Sequence, residues 1–195
     1  NMRTKSTASI YELFKTLTDG EEFDSNDAAL QVMQVGYDTL LAQREWWFLE
    51  KSDELQLSDL SLPEDFWRVK KVWYRDSAGN VSEVPLVRGE KRDRFNSDYD
   101  YYIDELEGKL VLINEITTGS LIIDYTHKPA ELEEISDEEE PVMPEEYRPL
   151  IAFYMKQQYK SADENPDFYK ETGIDFNSLE QRMIDEDARH QEIYG

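Results

Sequence analysis

Cysteine is absent from the chain. That excludes a disulfide scaffold, a cysteine-bound zinc site and thiol chemistry, and it fits a reducing compartment. Histidine is nearly absent, with two residues. No apolar run approaches the roughly 20 residues of a membrane span, so no membrane partner is expected. The first residues lack the apolar stretch of a secretory leader. Asn1 ahead of Met2 reads as a cloning remnant and is set aside. The signatures of nucleotide, metal and hydrolase sites are also missing: no GxxxxGK(S/T), no GxGxxG after a strand, no HExxH, no GxSxG. Positive charge is scarce. The 21 Lys and Arg face 44 Asp and Glu, for a net charge of −23. Such a chain repels free nucleic acid as a whole and must choose partners through specific patches.

What is present suffices for a core. The 195 residues are 39% hydrophobic and 12% aromatic, which suits one domain or one domain with an appendage. Residues 6–48 read as helical. Ile10, Leu13, Phe14 and Leu17 keep helical spacing, and Ser9 with Glu12 resembles a capping box. Asp19-Gly20 stops this helix. A second starts near Ser25, with Leu30, Met33, Tyr37, Leu40 and Leu41 as its stripe, and Gly36 beside the stripe can admit a close helix.

Residues 49–130 read as an antiparallel β module. Trp67 to Arg75 is rich in strand formers, residues 76–80 make a hairpin turn, and Val81 to Val87 returns, with Pro85 arguing for an edge. Residues 88–100 read as a loop. Tyr101 to Ile103 is a short strand, and Leu110 to Ile113 pairs with Leu121 to Tyr125. Residues 131–146 carry nine acidic residues and no basic ones, the composition of a solvated linker or of a contact with a basic partner. Residues 147–195 return to helix. Pro149 sits in a first turn. Asn165 and Pro166 open a last helix whose seam is Tyr169, Thr172, Phe176, Leu179 and Met183, with Gly173 inside it. The expected fold class is α+β: helices from both chain ends form a bundle, and a small antiparallel β barrel or sandwich is inserted between them.

Candidate chemistry is sparse. His127 reads as an exposed or capping imidazole. Glu186 and His190 share a helix face, which is a weak metal site without further ligands. Asp19 to Asp24 does not match a calcium loop. With 44 carboxylates, close acidic pairs arise by chance and point to no reaction. No catalytic residue, metal or cofactor is expected. The informative feature is positive charge. Arg68, Lys70, Lys71, Arg75, Arg88, Lys91, Arg92 and Arg94 hold eight of the 21 basic residues within 27 positions. They either neutralise Asp76, Glu83, Glu90 and Asp93 or form a strip for an acidic neighbour or DNA. Between copies, Arg88, Lys91, Arg92 and Arg94 can face Glu138, Glu139 and Glu140 of the next subunit, a heterologous contact that closes into a ring.

The order of these blocks resembles the head-to-tail adaptor proteins of tailed bacteriophages, also called head-completion or tail-accessory proteins. The residues that carry it are the helix 25–44 with Trp46-Trp47, then Leu62-Pro63-Glu64-Asp65-Phe66 leading to Val69 and Val72. The turn at Gly79, the strand after Gly108, Leu121 to Tyr125 running to Pro129, and the helix opened by Met143-Pro144-Glu145-Glu146-Tyr147 follow. The resemblance implies a structural protein of the virion neck, assembled in the bacterial host cytoplasm. It implies a ring of about a dozen copies below the portal, which extends the DNA channel and gives tail or nozzle proteins a platform. Genome DNA passes through without tight binding. Helices commonly contact the portal in this family, which directs attention to Phe176, Leu179, Met183, Ile193 and Tyr194. Three other readings stay open: an acidic DNA mimic or other acidic protein-binding module, a carboxylate-dependent metal enzyme, and another neck or tail-completion protein.

Overall fold

The computed structural model describes residues 4–84, 101–113, 116–159 and 173–194. The chain divides into two compact units, Asn1–Phe48 with Ala130–Gly195, and Leu49–Pro129. It is a mixed α+β protein in which helices from both chain ends flank a small antiparallel β region.

The first unit is helical. Helix α1 spans Thr7–Leu17 and buries Ile10, Leu13, Phe14 and Leu17 on one face. Its capping box lies one turn earlier than expected. The Ser6 hydroxyl accepts the Ser9 amide at 3.3 Å and the Ser9 hydroxyl accepts the Ser6 amide at 2.9 Å. Ser6 is extended, with φ −122° and ψ 168°, so it is the cap, and Ser9 already lies in the first turn. Asp19 and Gly20 turn left-handed, at φ 56° and 88°, and end the helix.

Helix α2 spans Asn26–Leu41, and the Ser25 hydroxyl accepts the Ala28 amide at 3.2 Å. Its buried face is Ala29, Met33, Gly36, Tyr37, Leu40 and Leu41. Helix α3 spans Pro149–Gln158 with Pro149 in its first turn. It lies so close to α2 that a β-carbon on Gly36 would stand 3.0 Å from the Met155 amide nitrogen. Helix α4 spans Phe176–Tyr194. The Asp175 carboxylate accepts the Ser178 amide at 3.2 Å and caps it. Gly173, expected inside this helix, stands before it at φ 67°. The expected cap Asn165, with Pro166, Tyr169 and Thr172, lies outside the described residues.

Among its described residues the second unit has six strands: β1 Glu50–Gln56, β2 Phe66–Arg75, β3 Val81–Val84, β4 Tyr101–Asp104, β5 Lys109–Leu112 and β6 Ser120–His127. One antiparallel sheet has the order β1-β6-β2-β3, and β4 pairs with β5 in a second. The strand 110–113 therefore does not pair with 121–125. The β5 partner is β4, and β6 is the centre of the larger sheet. Local hairpin logic favours the sequence neighbour, whereas β6 is the most buried strand and takes a partner on each side. Among the described residues no ladder closes the larger sheet into a barrel. Leu55, Val72, Val84, Leu121, Ile123 and Tyr125 share one core with Tyr101 and Leu110 of the smaller sheet. Asp76 builds the β2–β3 turn, accepting the Ala78 and Asn80 amides at 2.8 Å each. The expected edge residue Pro85 and the loop 88–100 lie outside the described residues.

Candidate functional site

The acidic segment 131–146 has solvated carboxylates but a tethered backbone. The Thr7 and Ala8 amides, unpaired by the α1 helix itself, donate to the Glu139 and Ser136 carbonyls at 2.9 and 3.1 Å. The Thr7 hydroxyl donates to the Glu134 carbonyl at 2.8 Å. Gln34 of α2 accepts the Leu132 amide at 2.8 Å, and Tyr37 donates to the Val142 carbonyl at 3.2 Å. Leu132 and Met143 are buried beneath. At the far end the buried Arg148 side chain donates to the Met143 carbonyl at 3.1 Å, to the Lys5 carbonyl, and to Glu140 at 2.9 Å. The result is an acid-studded strap across α1 and α2. Of the three carboxylates expected to meet a neighbour, Glu140 is held by Arg148, Glu139 is half-buried, and Glu138 is exposed.

The basic side of the expected contact is split. Arg88, Lys91, Arg92 and Arg94 lie outside the described residues. The cations of β2 are described, and two of them pair with acids of β1. Lys70 pairs with Glu50, and Arg75 with Glu54 at 3.3 Å, both from β1 across the intervening β6. Arg68 lies 4.9 Å from the centre of the Trp67 ring, and Lys71 lies 5.7 Å from that of Trp73. The register places Arg68, Lys71, Trp73 and Arg75 on the outer face with Asp124, while Val72 and Tyr74 point into the core. Asp124 ties three strands together, accepting from Ser52 of β1 at 2.7 Å and from the Trp73 indole at 2.5 Å.

The expected portal residues separate into two groups. Phe176, Leu179 and Met183 are buried, and Phe176 stacks on Phe153 of α3 at 5.0 Å. They hold α4 to its own unit. Ile193 is 69% exposed at the end of α4. Polar contacts reinforce the docking of α4. Tyr154 donates to Glu180 at 2.5 Å, and Tyr147 donates to Glu186. Burial first, then the neighbouring carboxylate, pushes both tyrosines up to about 12. The buried Asp187 accepts the Trp47 amide at 3.0 Å and faces Arg44 at 3.6 Å.

The imagined metal pair does not stand alone, because Glu186 is engaged by Tyr147. Among the described residues no three His, Asp or Glu side chains are grouped to hold a metal. His127 is a correction. It is buried, and its Nδ1 lies 2.7 Å from the Leu49 carbonyl, because it ends the central strand rather than an exposed one. In the same unit the Tyr125 hydroxyl lies 2.9 Å from Asp53 and 3.0 Å from Asp65. Burial foremost, then the two carboxylates, raises Tyr125 well above the ordinary phenol range, and Lys51 holds Asp65 below the usual carboxylate range. Sequence reasoning missed Arg148 and Asp187. The one signal for Arg148 is its place as the first basic residue after the acidic run.

The geometry offers charged surfaces and an exposed helix end. Among the described residues no helix is long and apolar enough to cross a membrane. No curated protein matches the chain. A family model described as SU10 adaptor protein matches residues 8–193, a span that runs through both units. The chain belongs to the SU10 adaptor protein family, a family of phage head-completion adaptors.

Proposed function

We propose that copies of this chain bind the portal of a tailed phage as a ring at the virion neck. The ring extends the DNA channel and gives tail or nozzle proteins their platform. What supports the reading is the run of a single adaptor model from residue 8 to residue 193. In this reading the β unit acts as a small sandwich, since its two sheets share a core. Ile193 and Tyr194 at the end of α4 meet the portal. Arg88, Lys91, Arg92 and Arg94 of one copy approach the strap of the next, where Glu138 is exposed. Carboxylates spread over the subunits keep the passing duplex from adhering, because they offer phosphate no cationic contact.

The test is negative-stain microscopy of the purified chain mixed with its portal. A ring on the tail-facing end of the portal is expected. A bare portal at saturating chain overturns the reading. Analytical ultracentrifugation of Arg92→Glu/Arg94→Glu on the portal tests the intersubunit contact, and assembly equal to that of the unaltered chain refutes it.

A further inference from the structure

Leu106 is 98% exposed, more than any other large apolar side chain among the described residues. It stands in the turn between β4 and β5, with Asp104, Glu105 and Glu107 around it in the sequence. The turn is held in shape. The Asp104 carboxylate accepts the Leu106 and Glu107 amides at 3.1 Å each, and Gly108 turns left-handed at φ 61° to open β5. A leucine shown to water on an ordered tip adds almost nothing to its own core. It loses little freedom when a partner covers it.

The same unit carries an apolar groove of about 540 Å³. Leu57 and Leu60 line it from the connection after β1, and Leu112, Ile113 and Ile116 from β5 and the residues beyond, all of them half-buried. The groove opens where these two segments part. The Leu62 amide donates to the Gly108 carbonyl and the Leu110 amide to the Leu60 carbonyl, at 2.9 Å each, about the Ser61–Lys109 bridge. Among the described residues no further rung joins the two segments. Leu112, two residues past Leu110, turns its amide and carbonyl to the same side, away from β4 and toward the groove. Deleting one leucine side chain from a packed core leaves about 150 Å³, so the groove has room for a leucine and some of its backbone. Lys109 is exposed and lines the groove, and so does Asp59, whose carboxylate accepts the Ser61 hydroxyl at 2.6 Å.

We propose that the Leu106 tip of one copy inserts into this groove of the next copy, with Glu105 and Glu107 meeting Lys109 of the receiving copy. This deepens the ring reading above and rests on it. The occupant is argued from what the chain itself displays: an unburied aliphatic knob with acids beside it, and an aliphatic groove with a cation at its edge. An apolar anchor in a pocket with charges at the rim is the usual anatomy of a specific interface. Knob and groove are different surfaces of one unit, so the contact is heterologous. Each copy gives one tip and receives one, and the series can close into a ring.

The chain has no cysteine, so single introduced thiols report cleanly. Leu106→Cys chains are mixed with Leu60→Cys or Ile116→Cys chains, bound to portal and alone at high concentration, and gently oxidised. Mixed disulfide dimers joining position 106 to position 60 or 116 are expected on a non-reducing gel. Their yield should be about tenfold above that with Val81→Cys, an exposed apolar position on β3. Leu106→Asp should lose ring formation on the portal, and Leu106→Met should keep it. Near-ultraviolet circular dichroism checks that each variant keeps its fold. Mixed dimers no more abundant than with Val81→Cys, or a predominance of dimers joining position 106 to itself, overturn the proposal. So do rings formed equally by Leu106→Asp, in which case the adaptor ring stands and only this contact falls. Loss of the ring in Leu60→Asp but not in Leu106→Asp gives the groove to another occupant and likewise overturns it. Mixed dimers above the control without any ring on the portal keep the contact and remove the ring.

Discussion

Replacing Gly36 by alanine tests the packing of the helical unit, because two opposing effects have known sizes. In an isolated or exposed helix the change is favourable by about 1 kcal/mol, since glycine loses more backbone entropy on folding. At Gly36 the new β-carbon would stand 3.0 Å from the Met155 amide nitrogen, 3.3 Å from the Ile151 carbonyl oxygen and 3.3 Å from the Tyr154 carbonyl carbon. All three are backbone atoms of α3, so no flexible side chain can swing aside. The whole helix must retreat by a few tenths of an ångström, against its packing on α1 and α4. Overpacking of this kind costs about 1–3 kcal/mol. The net expectation is a loss of about 1 kcal/mol, or a midpoint lower by about 2–4 °C in a chain of this size. Gly36→Val should lose more. Gln31→Gly, at an exposed position of the same helix, calibrates the propensity effect alone. Calorimetry or helical ellipticity against temperature reads all three. A higher midpoint for Gly36→Ala would refute the reasoning, because it would mean that α3 yields at no cost.

Asp187→Ala leaves the Trp47 amide without an acceptor and Arg44 without its buried partner, so urea denaturation should show a loss of about 1–3 kcal/mol, with Asp187→Asn losing less. An unchanged midpoint for Asp187→Ala would show that α4 docks without it. Tyr147 and Tyr154, both raised to about 12, bind their protons more tightly folded than unfolded. Their contribution is complete below the unfolded phenol value of about 10 and is lost as pH rises through 12. Absorbance at 295 nm should therefore show a late fraction of the 12 tyrosines, also holding Tyr37 and Tyr125, ionising together with unfolding. Twelve tyrosines titrating near 10 in a folded chain would contradict this. Ile193→Asp should weaken portal binding without changing thermal stability, since its side chain is exposed; equal binding in a pull-down removes this residue from the portal contact.

Features that depend on local chemistry were legible in the sequence. The stripes of α1 and α2, the Asp76–Asn80 turn and the close approach at Gly36 each follow from residues within one element or next to it. The features that escaped depend on partners far along the chain. Ser6 and Ser9 both qualify as caps by type, and the choice between them follows from where the strap carbonyls receive the Thr7 and Ala8 amides. Strand β6 reads like β5 in isolation, yet it becomes the central strand because β1 and β2 both find it. His127 looks polar and terminal, and only the Leu49 carbonyl explains its burial. The charge anomaly was visible as composition, but its resolution was not. Glu50 and Glu54 lie some twenty residues before the cations that they neutralise, on a strand separated from them by a third.

The helical unit is discontinuous in the chain, and that governs its order of synthesis. Helices α1 and α2 are synthesised before any residue of Leu49–Pro129, yet the carbonyls that receive the Thr7 and Ala8 amides belong to Glu139 and Ser136. At bacterial elongation rates the wait is on the order of several seconds. Through that interval Ile10, Phe14 and Met33 have only each other's helices and solvent, while the β unit is completed between them and α3. The nascent chain thus holds a finished β unit and an unfinished helical pair at once. Ribosome-bound chains stopped far enough past residue 130 for the β unit, but not the strap or α3, to clear the exit tunnel should present the helical pair, not the β unit, to chaperones.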